Sequence, residues 1–584
     1  MSQSPTLATS RPRRAELVVY GVLALGVLAW VALNAVWLLD HRVGQPRNID
    51  EWGYFGLALN DYYSLMRDGL SGWVQAVLAP SIQSPVVTAL ASLSFIVTGT
   101  NFIGAFGVIL GSSAILIIAL FFYSRRITST AAGLFAAALL AVSPGFIELS
   151  RTFIFAAPAA TVTTLTLITI ARSRQGRSIG WSVATGILLG LMPLTRTMTV
   201  SFVPFLAIAF AIQATLGRDQ RRQRLRNLVI GGVTALVVAA IWLAGSGTMV
   251  FEYLFNFGYG KQSGEYKRSG LSAVSWINDY ASDFHAPLLL FVALGLIAGT
   301  IVWLTPLRRF ERSRVLTLLE SAHFPAIALV LGGSAALASS PNAGLGFALP
   351  LEPAALALGV AGWVSFVRVA RSEASSRAAT AIRTIGGVGS ATVLGVALLL
   401  IMPAFVAGAP LSTTTTLALP AIEPVVLTGG VQGNPAYPHN QDLRDPAGSG
   451  LAWLNETNEI ATILQKEPGP VRAAFGFRDY FVNVNTVQVA LEKRLHYGSP
   501  LAQIDPLLEG PSEASYKHWL TRGDAAGSCE LLTSEGSTNE FTPLPNTANL
   551  IRAAQSLGFR YLAQVSGPDG RTVVIWRLSN RACS

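Results

Sequence analysis

Two adjacent carboxylates, Asp50 and Glu51, stand near the start of Asn48-Ile-Asp-Glu-Trp-Gly-Tyr-Phe-Gly-Leu-Ala-Leu-Asn-Asp61, directly after the first long apolar stretch of the chain. Like charges side by side repel, so the pair needs a reason. Helix capping is one: Asp50 as N-cap of the helix that follows, with Glu51 complementing its dipole. General-base or metal work is another, in which a carboxylate in a cleft at a membrane edge takes a proton from an attacking hydroxyl, or helps to hold a divalent ion. The two readings are compatible. Two arginines stand at the ends of apolar segments: Arg196, at the junction of two of them, and Arg151, at the end of another. An Arg in that position is costly unless it snorkels to headgroups or holds an anion.

A further candidate surface runs from Phe251 to Asp283, where aromatic residues including Tyr253, Phe257, Tyr259 and Tyr266 alternate with charged ones including Glu252, Lys261, Glu265 and Lys267. Aromatic faces beside polar neighbours suit both sugar binding and an interfacial belt. Tyr259 and Lys261 lie between glycines that would let the loop move over a site. His285, at its end, is a candidate ligand or proton carrier, although a lone interfacial His often has neither role.

The elements that must position these residues are set by composition. Charged residues make up 13% of the 584, against about 25% in soluble domains, and the mean hydropathy is +0.48. The chain is therefore expected to be a polytopic α-helical membrane protein, which excludes a soluble enzyme, a fibre or a disordered tail. Apolar stretches predict eleven membrane helices, near 16–39, 102–123, 129–146, 152–171, 180–195, 198–216, 228–246, 285–304, 322–339, 345–366 and 386–407. With the amino terminus cytoplasmic, alternate short loops carry twenty-one of the 42 Lys and Arg residues, as positive residues resist translocation. The net charge of +10 is thereby spread as a topology signal and not gathered into a nucleic-acid surface. The apolar run Pro85 to Gly99 is short for a span and is expected to lie at the outer membrane face. No cleavable signal is expected, the first segment being too long and lacking a small-residue cleavage site.

The composition changes near residue 408. Residues 1–407 are read as a transmembrane domain and 408–584 as an extracytoplasmic soluble α/β domain, with helices over 451–465 and 550–557, a strand over 471–477, and a hairpin of 561–565 and 572–578 turning at Gly567-Pro-Asp-Gly570. The only cysteines, Cys529 and Cys583, both lie there. A disulfide between them is allowed outside the membrane, and so are two unpaired thiols.

Several landmarks fall in the order of one family. After Asp50-Glu51-Trp-Gly-Tyr54 come Ala79-Pro-Ser-Ile-Gln-Ser-Pro-Val-Val-Thr-Ala-Leu90, the segment Gly133 to Arg151, the segment Gly186 to Phe205 containing Thr195-Arg196, and Gly346-Phe-Ala-Leu-Pro-Leu-Glu-Pro353. Across roughly residues 16 to 405 this resembles the GT-C-fold glycosyltransferases that use polyprenyl-phosphate sugars, in the branch of the protein O-mannosyltransferases and lipid A aminoarabinose transferases. Arg196 takes the place of the family's Lys, Ala156 or Ala157 that of an Asp, and Gly346-Phe347 that of an Arg-Tyr pair.

The resemblance implies a GT-C-like fold and transfer of a sugar from a polyprenyl-phosphate donor to a glycan, lipid or protein acceptor at the outer membrane face, amid membrane lipids and without nucleic acid. It implies Asp50 as general base of an inverting displacement, Glu51 orienting it or sharing a divalent metal ion with it, and Arg196 and Arg151 meeting the donor phosphate. Two other functions compete: a transporter or flippase of a lipid-linked envelope precursor, for which neither internal repeats nor broken helices are apparent, and a non-catalytic scaffold binding an envelope glycan.

Overall fold

The structure, a computed structural model, describes residues 14–42, 49–216, 219–264, 284, 286–304, 312–340, 346–373, 380, 384, 388–399, 414–417, 425–428, 449–466, 471–479, 481–505, 509–535 and 545–579. Helices α1 (Arg14–His41), α2 (Ile49–Val77), α3 (Pro85–Thr98) and α4 (Phe102–Ile127) open the chain. In α2, Trp52, Phe55, Gly56, Leu59 and Tyr63 are buried, the three-and-four spacing of one helix face. That face meets α3 and α4 through Phe55, Phe95, Phe102 and Phe106, and Trp52 sets its ring edge-on to Phe102 at 5.1 Å. Helix α3 begins with Pro85 in its first turn and stops at Gly99, whose φ of 73° suits glycine.

The expected span 129–146 is two helices, α5 (Thr130–Ala141) and α6 (Pro144–Ser150), bent by 65°. Pro144 explains the break, because it has no N–H to continue α5 but fits the first turn of a new helix. Helix α7 (Ala156–Arg172) buries a row of threonines. Thr161 and Thr163 satisfy their hydroxyls on the carbonyls of Ala157 and Ala159, each at 2.8 Å. Helix α8 (Ile179–Thr195) gives way to a 3₁₀ turn (Thr197–Ser201) and α9 (Val203–Leu216). It packs on α10 (Arg221–Gly258) through small residues: a Cβ on Gly190 would stand 2.6 Å from the Ala235 carbonyl.

Helix α10 has 38 residues and so runs about 57 Å at 1.5 Å per residue, well beyond ~30 Å of hydrocarbon. It absorbs the first part of the loop expected over Phe251 to Asp283, and residues 265–283 lie outside the described residues. Helices α11 (Ala286–Leu304), α12 (Arg312–Glu320), α13 (Phe324–Ser339), α14 (Glu352–Glu373) and α15 (Val388–Leu399) follow. Every expected span therefore meets a helix. Five of the described helices are long and apolar enough to cross a membrane, or six if the bent pair is one span.

The carboxyl-terminal part holds a short hairpin, β1 (Thr414–Leu417) with β2 (Val425–Thr428), and then a mixed α/β unit. Its elements are α16 (Ser449–Gln465), β3 (Ala473–Phe475), α17 (Val484–Leu495), β4 (Leu501–Gln503), α18 (Glu513–Arg522), β5 (Glu530–Ser534), α19 (Thr547–Ser556), β6 (Phe559–Ser566) and β7 (Thr572–Leu578). The sheet order is β4-β3-β5-β7-β6, with β3 parallel to both neighbours and β7 antiparallel to β5 and β6. Ile460, Val487 and Leu491 cover one face and Tyr516, Trp519 and Leu550 the other, which is why β3 is apolar throughout. The β6–β7 hairpin turns where expected, with Gly567 N–H donating to the Arg571 carbonyl at 2.7 Å. Cys529 is disulfide-bonded; Cys583 lies outside the described residues.

Candidate active site

Helix α2 begins at Ile49, one residue before the expected cap, so Asp50 and Glu51 both fall in its first turn. Their environments differ. Glu51 is fully buried, and both its oxygens accept from Arg42 Nη2, at 2.7 and 2.6 Å. Its Oε1 also accepts from the Phe153 N–H at 2.6 Å. Glu51 thus ties the end of α1 and the α6–α7 link to the start of α2, while Asp50 turns to a cleft.

Removing one partner of a buried pair leaves an uncompensated charge, at about 3–5 kcal/mol. Arg42→Met and Glu51→Gln are each expected to lower the thermal unfolding temperature sharply in detergent, whereas Asp50→Asn leaves it near the wild type. Equal thermal stability in all three would overturn the assignment of Glu51 as the brace.

The cleft has a volume of ≈ 320 Å³ and lies between the first turn of α2, the α8–α9 junction, the end of α10 and the carboxyl-terminal domain. Asp50, Tyr54, Arg196, Tyr259, Arg478 and Gln503 line it, with Phe155, Met198, Phe257 and Phe347 among its apolar walls. Arg196 is placed by the end of α8: its backbone is extended, at φ −153° and ψ 121°, so the side chain leaves the helical path. Its Nη1 donates to the Gly346 carbonyl at 2.8 Å, and its guanidinium lies over the Phe347 ring at 4.9 Å. The Gly346-Phe347 segment thus becomes a seat for the arginine.

Arg151 does not line the cleft. It is buried against α1, with Nε donating to Asn34 Oδ1 at 2.7 Å and the guanidinium 4.1 Å from the Trp37 ring. Tyr259 stands at the cleft's edge, its hydroxyl 2.6 Å from Ser339 Oγ. Lys261 belongs to a 3₁₀ turn (Lys261–Gly264), but its side chain, like His285, lies outside the described residues.

Sequence reading missed the contribution of the carboxyl-terminal domain. Arg478 sits just past β3 in a loop fixed by Asp479, which pairs with Arg571 and accepts from the Phe481 and Val482 N–H groups at 2.8 and 3.1 Å. Asn485 Nδ2 donates to the Ile49 carbonyl at 2.9 Å, joining residues 436 apart in the chain. Nothing local in "Phe477-Arg-Asp479" announces such a role.

Burial raises the Asp50 carboxyl to about 6; Arg196 pulls it down, Glu51 pushes it up and Arg478 pulls it down. A carboxylate so placed can take up a proton near neutral pH, and two cations, Arg196 and Arg478, line the same cleft. With Glu51 taken up by Arg42, Asp50 is the single carboxylate lining the cleft among the described residues. Among the described residues no group of three or more His, Cys, Asp or Glu side chains is placed to hold a metal ion. The donor set present does not fit a divalent ion held by protein ligands alone.

Residues 82–244, which include Arg196, match the family of dolichyl-phosphate-mannose-protein mannosyltransferases. The fold is similar to the crystal structure of ArnT from Cupriavidus metallidurans bound to undecaprenyl phosphate, at 16% identity and a TM-score of 0.53, over 94% of this chain and 97% of that one. The apo state of the same protein is similar at 15% identity and a TM-score of 0.51, over 96% of this chain and 98% of that one. No curated protein matches by sequence.

Proposed function

We propose that this chain, a membrane glycosyltransferase of the GT-C fold, moves a sugar from a polyprenyl-phosphate donor to a hydroxyl of a cell-envelope acceptor on the extracytoplasmic face. The reaction is a single inverting displacement with Asp50 as base. The observation that carries this reading is one cleft in which Asp50 meets Arg196 and Arg478 beside apolar walls. Undecaprenyl phosphate, which ArnT holds in the similar structure, has the chemistry the cleft suits: an anionic head on an apolar chain.

The acceptor O–H gives its proton to Asp50 as its oxygen bonds to the anomeric carbon. The bond from that carbon to the phosphate oxygen breaks, and the electron pair leaves on the phosphate. Arg196 and Arg478 meet the charge that builds there, at fixed positions and partly out of water, where a cation counts for more. Attack opposite the leaving group inverts the anomeric configuration, and Asp50 then releases its proton to solvent.

The test is transfer from radiolabelled polyprenyl-phosphate arabinose, mannose, glucose and galactose by membranes containing the chain. Activity above that of empty membranes is expected with one of these donors; none with any of them would overturn the reading. A pH dependence follows from Asp50. Protonation removes the base, so kcat/KM is expected to be half-maximal near pH 6 and to fall about tenfold per unit below it. A profile flat from pH 5 to 8 would remove Asp50 from the reaction.

A further inference from the structure

Asp50 lines a second cleft as well, of ≈ 350 Å³, which shares Tyr54, Gln83 and Asn485 with the first. Its walls are α2 and α17, the soluble-domain helix packed on it, and its character is different. Amides dominate: Asn60, Gln83, Asn485 and Gln488, together with the Trp52 ring. Where the first cleft offers cations and apolar walls, this one is lined by no cationic side chain among the described residues.

Glu492 lines this cleft at 1% exposure. Gln488 Nε2 donates to its Oε1 at 2.9 Å, while Oε2 is buried with no hydrogen-bond partner among the described residues. A carboxyl group withdrawn from water with acceptor capacity unused is costly to the fold; burial raises this one to about 7. Two glycines keep the space in front of it open. A Cβ on Gly56 would stand 3.5 Å from Glu492 Oε2, and one on Gly498 3.6 Å from Oε1.

We infer that this second cleft is the acceptor site, and that the acceptor is a carbohydrate whose hydroxyls bind Glu492, Gln488 and Asn60 so that one of them reaches Asp50. Sugar hydroxyls both donate and accept, which is what a wall of amides and one unpaired carboxyl oxygen satisfies. A lipid acceptor would need an apolar wall, and a phosphorylated one a cation. The inference rests on Asp50 being the base of the transfer proposed above, and it makes the soluble domain half of the acceptor site.

The experiment uses the full chain in nanodiscs and saturation-transfer NMR with octyl mannoside, octyl arabinofuranoside and octyl galactoside, with tetraethylene glycol monooctyl ether and a Ser/Thr-rich peptide as controls. At least one glycoside is expected to bind where the controls do not. Glu492→Gln and Gly56→Ala should each weaken it about tenfold, with thermal unfolding no lower than in the wild type and undecaprenyl phosphate binding unchanged. Gly56→Ala is the safer of the two: its methyl group meets Glu492 at ordinary contact distance and favours the helix, yet it covers the unpaired oxygen.

Glycosides binding no better than the ether, the peptide binding in their place, or both variants binding like the wild type would each overturn the inference. If instead undecaprenyl phosphate binds equally well to wild type and Arg196→Ala while glycoside binding depends on Glu492, the donor reading falls and the carbohydrate site stands.

Discussion

Asp50→Asn is expected to slow sugar transfer about 10³-fold, within the 10²–10⁴ that a positioned general base supplies. The amide keeps the shape and cannot take the proton. Folding should survive, because Glu51 on Arg42 and the Phe153 N–H hold the start of α2. Donor affinity should hold or improve, since the substitution removes a negative charge from a cleft that receives a phosphate. Single-turnover transfer in nanodiscs, with undecaprenyl phosphate affinity measured in parallel, reads both effects. A variant retaining a tenth or more of the wild-type rate would leave Asp50 as a first-turn residue complementing the helix dipole and no more.

Arg196→Ala is expected to cost 10² to 10³ in rate, about 2.7–4 kcal/mol of transition-state stabilisation for one preorganised donor. Preorganisation is visible in the Gly346 carbonyl and the Phe347 ring that seat the guanidinium. Arg196→Lys should recover only part of the loss, because an ammonium ion cannot reproduce the planar fork. Because the guanidinium also pulls the Asp50 carboxyl down, its removal should move the midpoint of the pH profile above about 6. A rate loss together with an upward midpoint is the signature of the two residues sharing one cleft. An unchanged rate would make Arg196 a headgroup anchor.

Much of this was legible in the chain itself, and the parts that were not have a common cause. Asp50-Glu51 stood out because two like charges after an apolar stretch are costly, but spacing alone could not assign their work. The division of labour comes from Arg42 and Phe153, which take Glu51, while Asp50 lines the cleft. Arg196 and Arg151 looked alike as arginines at helix ends. The extended backbone after Pro193 and Leu194 turns one into the cleft, whereas Asn34 and Trp37 hold the other behind it. The bend between α5 and α6 was signalled by Pro144, and hydropathy averaged over ~20 residues passes across such a break.

The chain's own composition determined that it has a helical membrane part followed by a mixed α/β part, and where most helices fall, because hydropathy and turn chemistry are properties of neighbouring residues. Only the tertiary structure decided which charges face the cleft and that Arg478, Asn485 and Glu492 stand beside Asp50. These groups meet across more than four hundred residues, as the 436 between Ile49 and Asn485 illustrate, and their meeting depends on how α17 packs on α2. No local pattern encodes a contact of that kind.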